Sequence, residues 1–330
     1  MGVLNAQDVH FSQNNLNPLY LNPALAGIQG NTNIYAGYRT QWARANAPFQ
    51  TLSASAESPI YFKRKNKPSH LGLGLQFYDD VAGYPKINNT AVNLSLAYHL
   101  YVAENTSLSA SLYGGYHGLN IDFEEGTWAS QHDGWAYNSN YDSGESLIGG
   151  TTSAFDVGTG LVFTQNKKND RGIDYYAPLF QAGIAFYHVN RPNLSMLSDD
   201  TYYLPMRFTA FASASIDLGE RFALSPQIYI QAQRPFSQVL LGSSLRYTIS
   251  EKLKSTSLVS DAQTSYFTFG FYHRSNDAII LNALIEYSNY SIGIAFDITT
   301  SNLQSVVQSR GATEIMLRYR FPQSKLKAFY

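Results

Sequence analysis

The stretch Val92-Asn93-Leu94-Ser95-Leu96-Ala97-Tyr98-His99-Leu100 decides the fold. Its residues alternate with a period of two. That places Val92, Leu94, Leu96, Tyr98 and Leu100 on one face of an extended strand. The other face carries Asn93, Ser95, Ala97 and His99. A soluble β-sandwich or small soluble barrel would turn its apolar face inward and a Lys- and Glu-rich face to water, on strands of about five or six residues. Here the second face is uncharged and the run is much longer. An apolar face on lipid and a polar face on a lumen satisfy both facts.

The pattern recurs outward from this stretch. Leu71, Leu73, Leu75 and Phe77 alternate with Gly72, Gly74 and Gln76. Phe267, Phe269 and Phe271 alternate with Thr268 and Gly270, and Ile292, Ile294, Phe296 and Ile298 share a face in the run from Tyr290. About fourteen such segments follow, each of roughly nine to fifteen residues, the length a tilted strand needs to cross a bilayer. They fall near 31–43, 48–57, 69–79, 89–101, 106–120, 152–165, 175–189, 204–217, 221–233, 236–249, 264–275, 278–288, 290–299 and 312–321. The expected fold is all-β, a transmembrane antiparallel β-barrel over 31–322. An even strand number puts both ends of the wall on the periplasmic side.

Composition agrees. Tyr numbers 25 and Phe 19, and only 14% of the 330 residues are charged, against roughly 25% in an ordinary soluble domain. No apolar run of about 18 residues occurs, so a transmembrane helix is excluded. A net charge of −1 gives no electrostatic reason for a nucleic-acid partner. Without cysteine, thiolate metal sites, disulfides and a Cys nucleophile are excluded. Met1–Ala6 reads as the residual end of a secretory signal, with the mature chain starting at Gln7. Residues 323–330 read as a tail.

The connections sort by side. If the first strand rises from the periplasm, the longest outer loop runs from Ile121 to Thr151, with others near Asp80–Asn88, Asn190–Tyr203 and Thr300–Gly311. The longest holds Trp128, Trp135, Tyr137, Tyr141 and Asp142. Exposed Trp and Tyr are frequent interface anchors, because they bury much area while ordering few torsions. These five are candidate partner-binding residues, unless the loop folds back as a lid. On the opposite side, Lys63, Arg64, Lys65 and Lys67 form a basic cluster. It is either a solvated turn or a docking patch for a periplasmic partner.

No catalytic constellation appears by local spacing, so no enzyme is expected. The seven His form no His-x-x-x-His pair, and neither a Gly-x-Ser-x-Gly elbow nor a phosphate-cradling Gly-Lys loop occurs. No metal site and no cofactor are expected. Asn138, Asn140 and Asp142 alternate like calcium-loop ligands, but the glycine at Gly144 falls one position late and position twelve lacks Glu.

The segment ahead of the first strand, residues 7–30, includes His10 and Phe11 and carries Asn17-Pro18 and Asn22-Pro23. Asn is a good N-cap and Pro is favoured at the first helical position. Two successive single turns are expected, stopped at Gly27 in the left-handed conformation. Neither turn can stand alone, so the segment is expected as a short plug at the periplasmic mouth. In strand 1, Tyr35, Gly37, Arg39 and Gln41 face the lumen. On lipid, Arg39 would cost about 2–4 kcal/mol at mid-membrane depth. Arg39 and Gln41 are expected to hold the plug by hydrogen bonds, in preference to the alternative that they bind a substrate.

These same residues carry a resemblance. Gln7–Gln13 (QDVHFSQ), Leu19–Gly27 (LYLNPALAG) and Tyr38–Trp42 (YRTQW) resemble the N-terminal signature of the PorP/SprF family, outer-membrane proteins of the type IX secretion system in Bacteroidota. His70–Phe77 (HLGLGLQF) and Leu317–Phe321 (LRYRF) fit it too, while Asn14–Asn17 (NNLN) is less aromatic than its habit. The resemblance implies a barrel in the outer membrane of a Gram-negative bacterium that neither catalyses nor energises transport. It would serve as receptor or anchor for secreted cell-surface proteins, adhesins of gliding cells among them, that carry a C-terminal sorting domain. Implied partners are that cargo, outer-membrane lipid and the periplasmic secretion and gliding machinery. The alternative is a FadL-like transporter of hydrophobic small molecules, which would need an apolar lumen pocket.

Overall fold

The computed structural model describes residues 8–43, 48–61, 69–83, 86–121, 129–138, 140–142, 150–169, 172–174, 178–196, 202–252, 263–301 and 310–321. The first six strands are β1 (Asn33–Gln41), β2 (Phe49–Tyr61), β3 (His70–Ala82), β4 (Ile87–Ala103), β5 (Thr106–Ile121) and β6 (Gly150–Gln165). They continue as β7 (Phe180–Tyr187), β8 (Arg207–Ala214), β9 (Phe222–Gln233) and β10 (Phe236–Lys252). The last four are β11 (Gln263–Arg274), β12 (Ala278–Tyr287), β13 (Tyr290–Thr299) and β14 (Arg310–Arg320). Each strand pairs antiparallel with its sequence neighbours, and β14 returns to β1, with Asn33 opposite Arg320 and Gln41 opposite Ala312. The result is a closed fourteen-stranded barrel.

The period-two reading holds side chain by side chain. Leu52, Leu94, Leu96, Leu112, Phe269 and Phe271 are exposed on the outer face, while Ser53, Ser95, Ser111 and Thr268 are buried inside. The ring of pairings closes from β14 to β1, so no strand is a free edge along its whole length; the outer part of β6, Gly150–Gly158, pairs with β5 alone. The end carrying the connections 122–149 and 188–206 is taken as outer, since outer loops exceed periplasmic turns in such barrels.

Strand limits differ from expectation in the thinnest part of the wall. The seventh strand begins at Phe180 and ends at Tyr187, because His188 turns into the left-handed region at φ +56°. The eighth begins only at Arg207, just after Pro205, which has no N–H for the ladder. It resumes after Ser215 as Ile216–Asp217. A small hairpin, Lys167–Asn169 with Gly172–Asp174, lies between β6 and β7 and was not expected.

The N-terminal segment lies inside the barrel. Asn14–Leu16 and Pro23–Leu25 are single 3-10 turns, and Pro18–Leu21 is one α-helical turn. Leu16, Leu19, Tyr20, Leu21 and Leu25 are all buried, each worth about 1.5–3 kcal/mol relative to exposure. That burial supplies what turns this short lack. The plug is not confined to the periplasmic mouth. Asp8 meets Gln233 and His188 at the outer ends of β9 and β7, and Gly27 meets Glu57 and His70 at the opposite end. The segment therefore runs the full depth of the lumen, drawn outward by charged partners nearly two hundred residues or more away in sequence. Gly72 makes room for its exit: a Cβ there would stand 1.7 Å from the Ala26 carbonyl oxygen.

Candidate functional site

Three polar fastenings hold the plug. The first joins Ser12 and Gln13 to β1, β11, β13 and β14. Arg39 lies 3.0 Å from Asp297 and 3.3 Å from Glu314, and donates to Ser12 Oγ at 2.7 Å. Arg274 reaches the same Asp297 at 2.5 Å. Glu314 accepts the backbone N–H groups of Ser12 and Gln13 at 2.8 and 2.9 Å. Charges taken this far from water persist only when paired and hydrogen-bonded, and here two guanidinium groups meet two carboxylates.

The second fastening is at the outer end. Asp8 lies 3.2 Å from Arg207 and 2.8 Å from His188 Nε2. Arg207 sits 4.0 Å from the ring centroids of both Tyr20 and Tyr187, a desolvated cation–π arrangement. His188 Nδ1 is 2.9 Å from Asp156, to which Tyr113 also donates at 2.8 Å. The third is at the periplasmic end. His99 and His70 donate through Nε2 to the carbonyls of Ala26 and Gly27 at 2.7 and 3.2 Å. Glu57 accepts from Gly27 N, Asn33 and Tyr35 at 3.0, 3.0 and 2.8 Å.

The plug residues singled out in the sequence take varied places. Asn22 caps its turn by accepting from Ala24 N at 2.9 Å, and its amide donates to the Leu161 and Ile184 carbonyls of the wall. Pro18 and Pro23 each open a turn, and Gly27 stops the second at φ +69°. Asn17 does not cap with its side chain; its Oδ1 accepts from Gln76 on β3 at 3.3 Å instead. His10 Nδ1 accepts from Gln238, Phe11 packs edge-on against Tyr20, and Gln41 accepts weakly from Arg39.

The outer connection presents a different surface. Trp135 is 98% exposed, and Tyr137 and Tyr141 are also exposed. Asp133 shapes the turn beneath them, accepting from the N–H groups of Trp135 and Ala136 at 2.8 Å each. The Ala136 and Trp135 N–H groups hold its carboxyl below the usual range. Gln131 binds the Tyr141 carbonyl, and its own carbonyl accepts from Asn138 N. Asp142 closes this described piece. Trp128 and the basic cluster Lys63, Arg64, Lys65 and Lys67 lie outside the described residues.

Sequence reading did not single out Asp8, Glu57, Asp156, His188, Arg207, Arg274, Asp297 or Glu314. A signal existed for the strand residues among them. Glu57, Asp156, Asp297 and Glu314 each stand at an inward parity position, where a charge demands a partner. A lumen cavity of about 70 Å³ lies beside the plug, lined by polar Gln13, Gln227 and Asn282 and by apolar Leu16, Phe211 and Leu240 among others. That is space for ordered water.

Among solved structures, the chain is similar to the toluene transporter TbuX of Ralstonia pickettii, at 13% identity over 92% of this chain and 93% of that one, with a TM-score of 0.47. It is also similar to the toluene transporter TodX of Pseudomonas putida, at 10% identity over 96% and 95%, with a TM-score of 0.48. A third is the translocator domain of the autotransporter NalP from Neisseria meningitidis, at 9% identity over 88% and 87%, with a TM-score of 0.32. No curated protein matches the chain. The family described as type IX secretion system membrane protein PorP/SprF matches residues 3–319. That match spans nearly the whole chain, and the protein is a member of the PorP/SprF family, a type IX secretion component in the outer membrane of a Gram-negative bacterium.

Proposed function

We propose that this barrel is a receptor or anchor that holds a secreted protein with a C-terminal sorting domain at the cell surface. The observation that carries the reading is the contrast between a filled lumen and an open aromatic rim. The plug fills the barrel's depth and is held at three levels by buried polar contacts. The cavity beside it, about 70 Å³ and lined by both polar and apolar side chains, offers no room for an apolar solute of drug size, roughly 300 Å³ or more, and a larger apolar concavity of about 740 Å³ is bordered mainly by residues of the wall's outer face such as Leu100, Leu161 and Ile184. Neither concavity gives a FadL-like role an apolar pocket of that size inside the lumen. Cargo then meets the protein from outside. Trp135, Tyr137 and Tyr141 are side chains suited to such contact, large in area and poor in torsional freedom. Periplasmic secretion and gliding machinery is the proposed partner on the opposite face, with Lys63, Arg64, Lys65 and Lys67 as its docking patch.

The test is affinity isolation from detergent-solubilised membranes, with the co-purifying chains identified. Recovery of a large secreted protein with a C-terminal sorting domain, reduced by Trp135→Ala in a normally inserted barrel, supports the reading. Cargo recovery unaffected by Trp135→Ala moves the receptor surface to another outer connection. Liposome swelling by small solutes would replace the anchor reading with a channel.

A further inference from the structure

At the outer end of the lumen, His117 on β5, Asp156 on β6 and His188 just beyond β7 converge from three separate elements. Each offers a ligand atom, and these atoms lie within 4.8 Å of one another. All three residues are at most 2% exposed. His188 has both ring nitrogens bonded, to Asp156 and to Asp8, but the hydrogen bonding of the other two is incomplete. Asp156 Oδ2 is occupied by Tyr113 and His188. Asp156 Oδ1 and His117 Nδ1 are enclosed and have no partner. Buried polar atoms are rarely left so, and an unplaced ion is one of the usual reasons.

We propose that His117, Asp156 and His188 bind one divalent transition-metal ion, zinc in class, beside the tip of the plug. Two imidazole nitrogens and one carboxylate form a zinc donor set with a fourth position open to water. Ligand atoms on a tetrahedral zinc at ordinary bond lengths stand about 3.3 Å apart. His188 Nδ1 and Asp156 Oδ2 are already 2.9 Å apart, so seating an ion there opens the pair by only a few tenths of an ångström. The remaining nitrogen of His188 has the partner that metal-bound imidazoles usually have. It lies 2.8 Å from Asp8, and a carboxylate in that place fixes the ring's tautomer and orientation. Asp8 belongs to the plug, so the metal would tie the plug's tip to the wall. The nearby cation, Arg207, lies 3.2 Å from Asp8 and over the faces of Tyr20 and Tyr187, with its Nε and Nη1 lacking a hydrogen-bond acceptor.

The experiment uses the full chain in detergent, stripped with a chelator and then titrated with zinc, with metal content read by mass spectrometry. Cobalt is substituted in parallel and its visible absorption recorded. A single tightly held zinc per chain and the intense bands of four-coordinate cobalt are expected. His117→Ala should lose both while the barrel keeps its heat-modifiable migration. His273→Ala, a change to an exposed imidazole on β11, should lose neither. Absence of stoichiometric zinc from the wild-type protein overturns the proposal, as does wild-type binding by His117→Ala or loss of zinc in His273→Ala. Should His117→Ala fail to fold, the wild-type cobalt spectrum decides: four-coordinate bands uphold the site, and their absence removes it.

Discussion

Tyr20 in the plug and Trp135 in the outer connection are both large aromatics outside the wall, and they meet opposite environments. Tyr20 is 1% exposed, with Phe11 and Tyr78 edge-on to it and Arg207 over its face. Trp135 is 98% exposed. The difference lies in what each segment is fastened to. The plug carries Asp8, Ser12 and Asn22, each with partners on the wall, so its apolar side chains follow the polar ones into the lumen. The described hydrogen bonds of the outer piece run mostly within it, from Asp133, Gln131 and Asn138, so it is shaped locally and left facing water. An aromatic in the first place stabilises the barrel. In the second it is available to a partner.

The change expected to have the largest effect attacks the first half of that comparison. Arg39→Ala leaves Asp297 with Arg274 as its one cation beside the Ser12 hydroxyl, and the Glu314 carboxylate with two backbone N–H groups and no cation. Removing one member of a buried ion network costs about 3–5 kcal/mol. Unfolding of the purified barrel in urea, with heat-modifiable migration as a second readout, should show that loss. An Arg39→Ala barrel as stable as wild type would mean that the plug is not held by charge.

Trp135→Ala tests the second half. Truncating an interface anchor lowers binding by about 2 kcal/mol, roughly thirtyfold. Barrel stability should move by no more than about 0.5 kcal/mol, as for an exposed position outside the packed structure. Cargo capture and urea unfolding on the same preparation separate the two. A drop in stability equal to the drop in binding would make Trp135 a packing residue and erase the distinction.

A smaller effect is expected within the plug at Asn22. Asn22→Ala removes the cap on Ala24 N and the two donations to the wall, and loss of a cap typically costs about 1 kcal/mol. Asn22→Ser keeps an uncharged acceptor for Ala24 N but loses the amide donors to Leu161 and Ile184. Comparing the two by urea unfolding apportions the turn's own stability and its attachment. Equal losses would mean that the cap contributes nothing.

Much of this architecture was legible because a barrel wall obeys one local rule. Leu94 and Ser95 reveal their faces by parity alone, and Asn22-Pro23 announces its turn within a few residues. The depth of the plug was not legible. It depends on Ser12 finding Asp297 and Asp8 finding Arg207, pairings that no window along the chain brings together. Asn17 shows the limit from the other side: a sound local capping rule yielded to Gln76, a wall residue that reaches it only after the barrel closes. The cluster of His117, Asp156 and His188 escaped for the same reason, being assembled across three elements.

The smallest expected effect lies beneath Trp135 itself. Asp133 accepts two backbone N–H groups and thereby sets the direction of the exposed indole. Asp133→Ala removes both bonds and should weaken cargo capture less than Trp135→Ala does, because the ring remains and only its orientation is freed. Asp133→Asn keeps an acceptor oxygen and should stay nearer to wild type. Acid offers an independent check with a defined sign. The Asp133 carboxyl is held below its ordinary range by those N–H groups. Its contribution to the ordered turn is therefore complete above the ordinary carboxylate range and is lost as pH falls through the lowered folded value. The part of capture that depends on the ordered turn should fade with acid in the wild-type protein and be missing at every pH in Asp133→Ala. If the two proteins instead lose capture in parallel as pH falls, acid acts elsewhere on the complex. The turn would then be scaffolding that the indole does not need.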